Sequence, residues 1–193
     1  MPRTKEANEF VRQKRIKQIL STSLRLYCLK GIANVTMDEI AKNAKVSHGL
    51  VYHYFKDKEE ICKTLIEEGK TKFEQFAVIG SKKEGAEFFE FLTKNVIEAL
   101  KAGEEYAFYC YFFLSLKFNV EHYDENENNK LYQYIVRQFQ KAQDEGKFQK
   151  GDSLEFMYCY FTLLITVART VITSKKKSPK IPSAEVIMNL LYK

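Results

Sequence analysis

The fold is decided by the stretch TMDEIAKNAKVSHGLVYHYFKDK, which occupies residues 36–58. Thr36 is suited to cap one helix, and Glu39, three residues later, completes a capping box with it. Ser47 is suited to cap a second helix after a connection of only three residues, Ala44 to Val46. Two short helices joined by so tight a turn predict a helix-turn-helix motif.

The second of these helices, residues 48–55, has two different sides. Val51 and Phe55 lie one turn apart, as expected of residues that face a core. The predicted core of this small domain consists of Ile40, Ala41, Val46, Val51 and Phe55. The opposite side carries small, polar and aromatic residues, namely His48, Gly49, Leu50, Tyr52, His53 and Tyr54. A helix with such an outward side can enter the major groove of DNA.

Charge is distributed unevenly along the 193 residues, whose net charge is +6. Residues 1–58 contain 12 Lys/Arg against 5 Asp/Glu, whereas the remainder contains 19 against 20. The basic excess therefore lies with the helix-turn-helix, which predicts attraction to a polyanion at this end of the chain. Within it, four side chains are expected to add phosphate attraction, although a solvated face is nearly as common a role for each; they are Lys45, Arg12, Lys14 and Arg15.

Composition points to a helical protein of the cytoplasm. The 3 Pro and 8 Gly residues favour long helices with short connections, and 15 Phe and 12 Tyr predict an aromatic interior. The 4 Cys residues lack a C-x-x-C spacing, so we expect free, buried thiols in a reducing compartment. We find no apolar run long enough for a bilayer and no secretory core in the charged first residues, so we expect no membrane association.

Hydrophobic periodicity predicts an all-α protein with about nine helices. Besides the two motif helices, a capping box at Ser81 and Glu84 is expected to start the fifth helix, and residues 119–129 read as a loop. The other predicted helices cover residues 10–30, 58–77, 83–102, 104–117, 127–145, 153–173 and 183–192.

The eighth helix, residues 153–173, has two apolar stripes. One stripe can face its own domain, and it consists of Met157, Phe161, Leu164 and Ala168. The second needs another partner, for which a second copy of the chain is the simplest candidate. The predicted dimer interface consists of Phe156, Tyr160, Leu163, Val167, and Val186 and Leu190 of the last helix.

The string VTMDEIAKNAKVSHGLVYHYFKDKEEI, residues 35–61, resembles the DNA-binding segment of the TetR family of bacterial transcriptional regulators. The resemblance is close over about residues 10–75 and rests on helix number and length beyond them. It implies an all-helical homodimer in which the first three helices bind DNA and the fourth leads to a ligand-binding domain. We expect a DNA-binding domain over residues 1–56 and a ligand-binding and dimerisation domain over residues 57–193.

The resemblance also implies which side chains contact DNA. Tyr52 and Lys58 match positions that touch phosphates, and Lys58 also lies at a helix N-terminus that favours anions. Base edges are expected to meet His48, Gly49, Leu50 and His53. The DNA backbone is expected to meet Tyr54 and the exposed ends of the capping residues Thr36 and Ser47.

The C-terminal aromatic residues are candidates for an effector pocket, although plain core is the more common role of such residues. The candidates are Phe88, Phe89, Tyr106, Tyr109, Phe112, Phe113, Tyr132, Phe139, Met157 and Phe161. Cys110 and Cys159 are candidates for redox sensing, against the commoner role of inert buried thiols.

We therefore predict a transcriptional repressor that a small hydrophobic or aromatic effector releases from a near-palindromic operator. The alternatives are an activator or a ligand-independent regulator and, more distantly, a helical enzyme with an aromatic pocket. The sequence offers no nucleophile–base pair, no catalytic residue and no cofactor motif. His48 and His53 have the wrong spacing and no third ligand for a metal site.

Overall fold

The computed structural model describes residues 5–80, 82–117, 130–176 and 179–193. The chain divides into two compact units, Met1–Gly69 and Lys70–Lys193. The predicted boundary between residues 56 and 57 lies at the start of the fourth helix and stays a prediction. The predicted loop over residues 119–129 falls outside the described residues.

The first unit contains four α-helices and one short 3-10 helix. These are α1 (Lys5–Lys30), the 3-10 helix η1 (Ile32–Asn34), α2 (Met37–Asn43), α3 (His48–Tyr54) and the first turns of α4 (Lys58–Gly80). Helix α1 begins five residues earlier than the sequence predicts. Glu9 pairs with Arg12 and accepts a hydrogen bond from Gln13, so side-chain pairs along the helix stabilise this polar first part.

The core of the first unit is built from one face of each helix. Ile19, Leu24, Ile40, Val51, Ile61 and Leu65 are each at most 1% exposed. Ile40, Ala41, Val51 and Phe55 are buried as predicted, whereas Val46 is only half-buried because it lies in the turn between α2 and α3.

The second unit consists of the remainder of α4 and five further helices. These are α5 (Gly85–Ala102), α6 (Glu104–Lys117), α7 (Lys130–Asp144), α8 (Ser153–Thr173) and α9 (Ala184–Asn189). Helix α5 packs against α6, α7, α8 and α9, and α8 packs against α6 and α7. The described residues form nine α-helices and no strand, which confirms the predicted all-α class.

The start of α5 differs from the prediction. Glu84 is the N-cap and its side chain makes no capping hydrogen bond, so the predicted capping box is wrong; Ser81 itself lies outside the described residues. The buried Gln138 of α7 instead accepts a hydrogen bond from the Gly85 amide at 2.8 Å. A tertiary contact therefore replaces the local cap.

Of the two apolar stripes predicted on α8, the first has the expected role, whereas two residues of the second do not. Met157, Phe161, Leu164 and Ala168 are buried as predicted. Tyr160 and Val167, assigned to the dimer interface, are also buried within the chain, at 2% and 5% exposure. These two assignments are wrong, because α8 packs against helices of its own unit over a wider arc than one stripe.

The rest of the predicted interface remains accessible. Phe156 and Leu163 are half-buried, and Val186 and Leu190 of α9 are 55% and 58% exposed. Helix α8 is also the one helix of the described residues that is long and apolar enough to cross a membrane, which our sequence analysis missed. Only 39% of its most apolar window is buried, yet Met157 and Leu164 are fully buried, as in the core helix of a folded domain.

The cysteines are free thiols, as predicted. Cys28, Cys62 and Cys110 are at least partly buried, but Cys159 on α8 is exposed, so the expectation that it is buried is wrong. Burial raises the pKa of the Cys110 thiol to about 11. Cys110 is therefore protonated at neutral pH and is a poor candidate for redox sensing.

Candidate nucleic-acid interface

The turn between α2 and α3 is closed by backbone hydrogen bonds that end α2 abruptly. The Val46 amide donates to Ala41 O at 3.1 Å, and the Lys45 amide donates to Lys42 O at 3.2 Å. This pattern requires a left-handed residue, and Lys45 supplies it with φ of 53°. Gln18 of α1 donates through Nε2 to Ala44 O at 2.6 Å, which ties the turn to the first helix.

Both predicted N-caps of the motif are present. The Thr36 hydroxyl oxygen accepts a hydrogen bond from the Glu39 amide at 3.2 Å, and the Ser47 hydroxyl oxygen accepts one from the Leu50 amide at 3.2 Å. The capping box at Thr36 is formed only in part, because the Glu39 carboxylate pairs with Lys30 of α1. Thr36 and Ser47 are both exposed.

Helix α3 packs against the core of the first unit with one side and is exposed on the other. Val51 is fully buried, whereas His48, Gly49, Tyr52 and His53 are exposed. Leu50 and Tyr54, which we also expected to face DNA, are half-buried. A Cβ atom built on Gly49 would meet no atom within 4 Å, so the backbone of α3 is open to a partner at this point.

His48 has a partner that the sequence analysis missed. Its Nε2 lies 2.9 Å from Asp38 Oδ1 in the first turn of α2, and its ring centroid lies 4.5 Å from that of Tyr52. Asp38 therefore links the starts of the two motif helices and orients the first residue of α3. The signal for this contact was weak, because an exposed aspartate in a first helical turn is common for electrostatic reasons alone.

The start of α4 is also fixed by side chains. The Glu60 amide donates to Asp57 Oδ1 at 2.8 Å, and the Lys56 amide donates to Glu60 Oε2 at 2.6 Å. Lys58 does not extend freely into solvent. Its Nζ lies within hydrogen-bonding distance of three backbone carbonyls, those of Ile32, Ala33 and Val35.

The aromatic residues of the second unit form a packed core rather than an open lining. The Phe89 ring centroid lies 5.4–5.6 Å from those of Phe139, Phe148 and Tyr160, at edge-on angles favoured by aromatic pairs. Tyr106 is 57% exposed, which excludes it from a buried pocket and corrects that prediction. The remaining candidates are buried or half-buried, namely Phe88, Tyr109, Phe112, Phe113, Tyr132, Met157 and Phe161.

Within the described residues, no group of three or more His, Cys, Asp or Glu side chains has a metal-binding arrangement. A short helix that is basic at its flanks and presents exposed polar and aromatic side chains from a rigid turn is instead the arrangement of a helix-turn-helix protein that binds DNA.

Comparison with known proteins agrees with this class. Residues 19–65 match the family model described as "Bacterial regulatory proteins, tetR family". The HTH-type transcriptional regulator HbdR of Aromatoleum sp. (strain CIB) is 43% identical over 49 residues, which cover 25% of this chain and 21% of that protein. The regulator AcrR of Shigella flexneri is 35% identical over 65 residues, which cover 34% and 28% of the two chains.

The likeness of fold extends over nearly the whole chain. The crystal structure of AibR in complex with isovaleryl coenzyme A and operator DNA matches with a TM-score of 0.63 at 18% identity, covering 92% of this chain and 98% of that one. At this identity the match bears on fold alone. Residues 19–65 thus resemble the DNA-binding segment of tetR-family regulators, and the whole chain has a fold similar to that of AibR.

Proposed function

We propose that the protein is a transcriptional repressor that binds a near-palindromic operator as a homodimer. The observation that carries the proposal is the exposure of His48, Gly49, Tyr52 and His53 on a helix whose inner side is fully buried. A dimer would bring two such helices into successive major grooves, about 34–36 Å apart. The excess of basic residues before residue 59 supports the same conclusion, because phosphate contacts supply much of the affinity for DNA.

The test is fluorescence anisotropy with a labelled promoter fragment of the protein's own gene and a scrambled fragment of equal length. We expect preference for the promoter to persist as salt is raised, because base contacts depend less on counterion release than phosphate contacts do. Tyr52→Ala is expected to weaken binding and Tyr158→Ala, in the other unit, to leave it unchanged. Equal binding of both fragments at every salt concentration would refute an operator-specific regulator.

We further propose that a small hydrophobic or aromatic effector binds the second unit and releases the DNA. The support is the aromatic character of that unit and the acyl coenzyme A bound by AibR, a protein of similar fold. Helix α4 runs from the first unit into the second, so a shift of this helix on ligand binding would alter the separation of the two α3 helices. A preference of the effector for one conformer by about 1–3 kcal/mol is sufficient.

The effector is best sought by a thermal-shift screen of fatty acids, acyl coenzyme A thioesters and planar aromatic compounds. Hits are expected to raise the melting temperature and to release the labelled promoter fragment. Hits that stabilise the protein without releasing DNA would favour a ligand-independent regulator. A reporter fusion in a deletion strain separates repression from activation: we expect higher expression in the absence of this cytoplasmic protein.

A further inference from the structure

We infer that Lys58 is a positioning residue that latches the first turn of α4 to the connection between α1 and α2, and that it does not contact a DNA phosphate. The inference rests on the proposed DNA binding and departs from the phosphate contact that the family resemblance implies for this position. We call the contacts of Lys58 with residues 32–35, together with that of Tyr27 described below, the α4 latch.

The ammonium group of Lys58 is already occupied within the protein. Its Nζ lies 3.2 Å from Ile32 O, 3.1 Å from Ala33 O and 3.5 Å from Val35 O. An ammonium has three N–H donors, so these three acceptors can use all of them. Lys58 is half-buried, as expected of a side chain that lies against the connection between α1 and α2.

The carbonyls that Lys58 reaches belong to η1 and the residue after it. Ile32 O also accepts the Val35 amide at 3.3 Å, and a carbonyl oxygen has two lone pairs, so it can accept from the ammonium as well. A cation placed beside the end of η1 is also favoured by the local backbone dipoles. A phosphate contact would draw the ammonium away from these oxygens, and the carbonyl of Val35, a residue only 1% exposed, would lose its donor.

A second contact holds the same turn of α4 from the other direction. The hydroxyl of Tyr27, a residue 3% exposed on α1, donates to the backbone carbonyl of Lys58 at 3.1 Å. Burial, followed by the nearby Cys62, Glu59 and Asp57, raises the pKa of Tyr27, so its hydroxyl remains a donor throughout the physiological range. The backbone carbonyl of Lys58 thus contacts α1, and its side chain contacts the connection between α1 and α2.

The latch therefore fixes the start of α4 against the N-terminal side of the helix-turn-helix. Thr36, the N-cap of α2, directly follows Val35, whose carbonyl contacts Lys58. Loss of the latch would therefore alter the position of α2 and, through the hydrogen-bonded turn, the position of α3. Lys58 would then affect DNA binding through the position of the motif helices. A charge contact and a positioning contact differ in their dependence on salt, which makes the two roles separable.

The experiment compares Lys58→Met, Tyr27→Phe and the matched charge control Lys56→Met, an exposed lysine two residues away. For each variant, the promoter affinity is measured from low to high salt, and amide hydrogen exchange is followed over residues 31–37. If the latch exists, Lys58→Met and Tyr27→Phe both increase exchange in this segment and weaken DNA binding about 2- to 30-fold, with the wild-type salt slope. Lys56→Met leaves exchange unchanged.

Two results would overturn the inference. One is a Lys58→Met protein whose slope of log affinity against log salt is smaller by about 0.9 per subunit, the value for one lost phosphate contact. The other is a Lys58→Met protein with wild-type amide exchange. If Lys58→Met does not fold, Tyr27→Phe decides alone, since it keeps every charge. If wild-type protein shows no operator preference, the proposed function fails, while the exchange measurement still decides whether the latch exists.

Discussion

Gly49 leaves the backbone of α3 open to a partner. It lies within a regular helix, and a Cβ atom there would meet no atom of the protein within 4 Å. The fold therefore does not require glycine at this position, where it costs about 0.5–1 kcal/mol relative to alanine. A glycine that weakens its own helix is best explained by what approaches it from outside.

We expect Gly49→Ala to raise the free energy of unfolding by about 0.5–1 kcal/mol and to weaken operator binding. The added methyl group points away from the protein and would meet DNA, at a cost comparable to one mismatched base pair, about 1–3 kcal/mol. Urea denaturation and anisotropy on the same preparation measure both effects. A variant that gains stability and binds the operator as tightly as wild type would show that DNA does not approach this backbone closely.

Single-residue contacts were predictable where both partners are close in sequence. The caps at Thr36 and Ser47 join residues three apart, so their sequence spacing alone indicated them. The bond from Gln18 to the Ala44 carbonyl spans 26 residues, as does that from Lys58 to Ile32. Such contacts depend on how the helices pack, and local spacing carries no information about them.

At the level of whole helices, α8 illustrates what a hydrophobic pattern can and cannot decide. Its predicted ends, Ser153 and Thr173, agree with the structure, in which Asp152 caps the helix. The pattern could not show which apolar side is covered by the same chain. The pattern assigned Tyr160 to a dimer interface, yet its hydroxyl meets the Thr93 hydroxyl of α5 at 2.7 Å.

We expect Tyr160→Phe to lower the free energy of unfolding by about 0.5–1.5 kcal/mol. Thr93 also donates to the carbonyl of Phe89 and contacts Met188 of α9, so one hydrogen bond is lost and no large cavity forms. Thermal denaturation checks this against Tyr158→Phe, a half-buried tyrosine on the same helix, which we expect to be near neutral. Equal stability of both variants would mean that the Thr93–Tyr160 contact adds nothing.

At the level of the whole molecule, we propose that the outer face of α8 is the dimer interface. It is formed by the exposed residues Cys159, Thr162, Thr166 and Thr170. The Thr166 and Thr170 hydroxyls donate to carbonyls one turn earlier, at 2.8 and 2.9 Å. Their polar groups are thereby satisfied within the helix, which lowers the cost of covering this face with a second copy of the chain.

We expect Thr166→Arg to convert the proposed dimer into a monomer, because two like charges would meet across its two-fold axis. Size-exclusion chromatography with light scattering measures the mass. Gln140→Arg, which adds the same charge to an exposed position of α7, serves as the control and is expected to remain dimeric. Dimers of Thr166→Arg would place the interface elsewhere.

The central claim, that paired α3 helices read DNA, is tested most directly by hydroxyl-radical footprinting of the promoter fragment. We expect two protected segments on one face of the duplex, with their centres about 10–10.5 base pairs apart, or a multiple of this distance. Tyr52→Ala is expected to lose both segments together. A single protected segment, or uniform protection without a boundary, would contradict the claim.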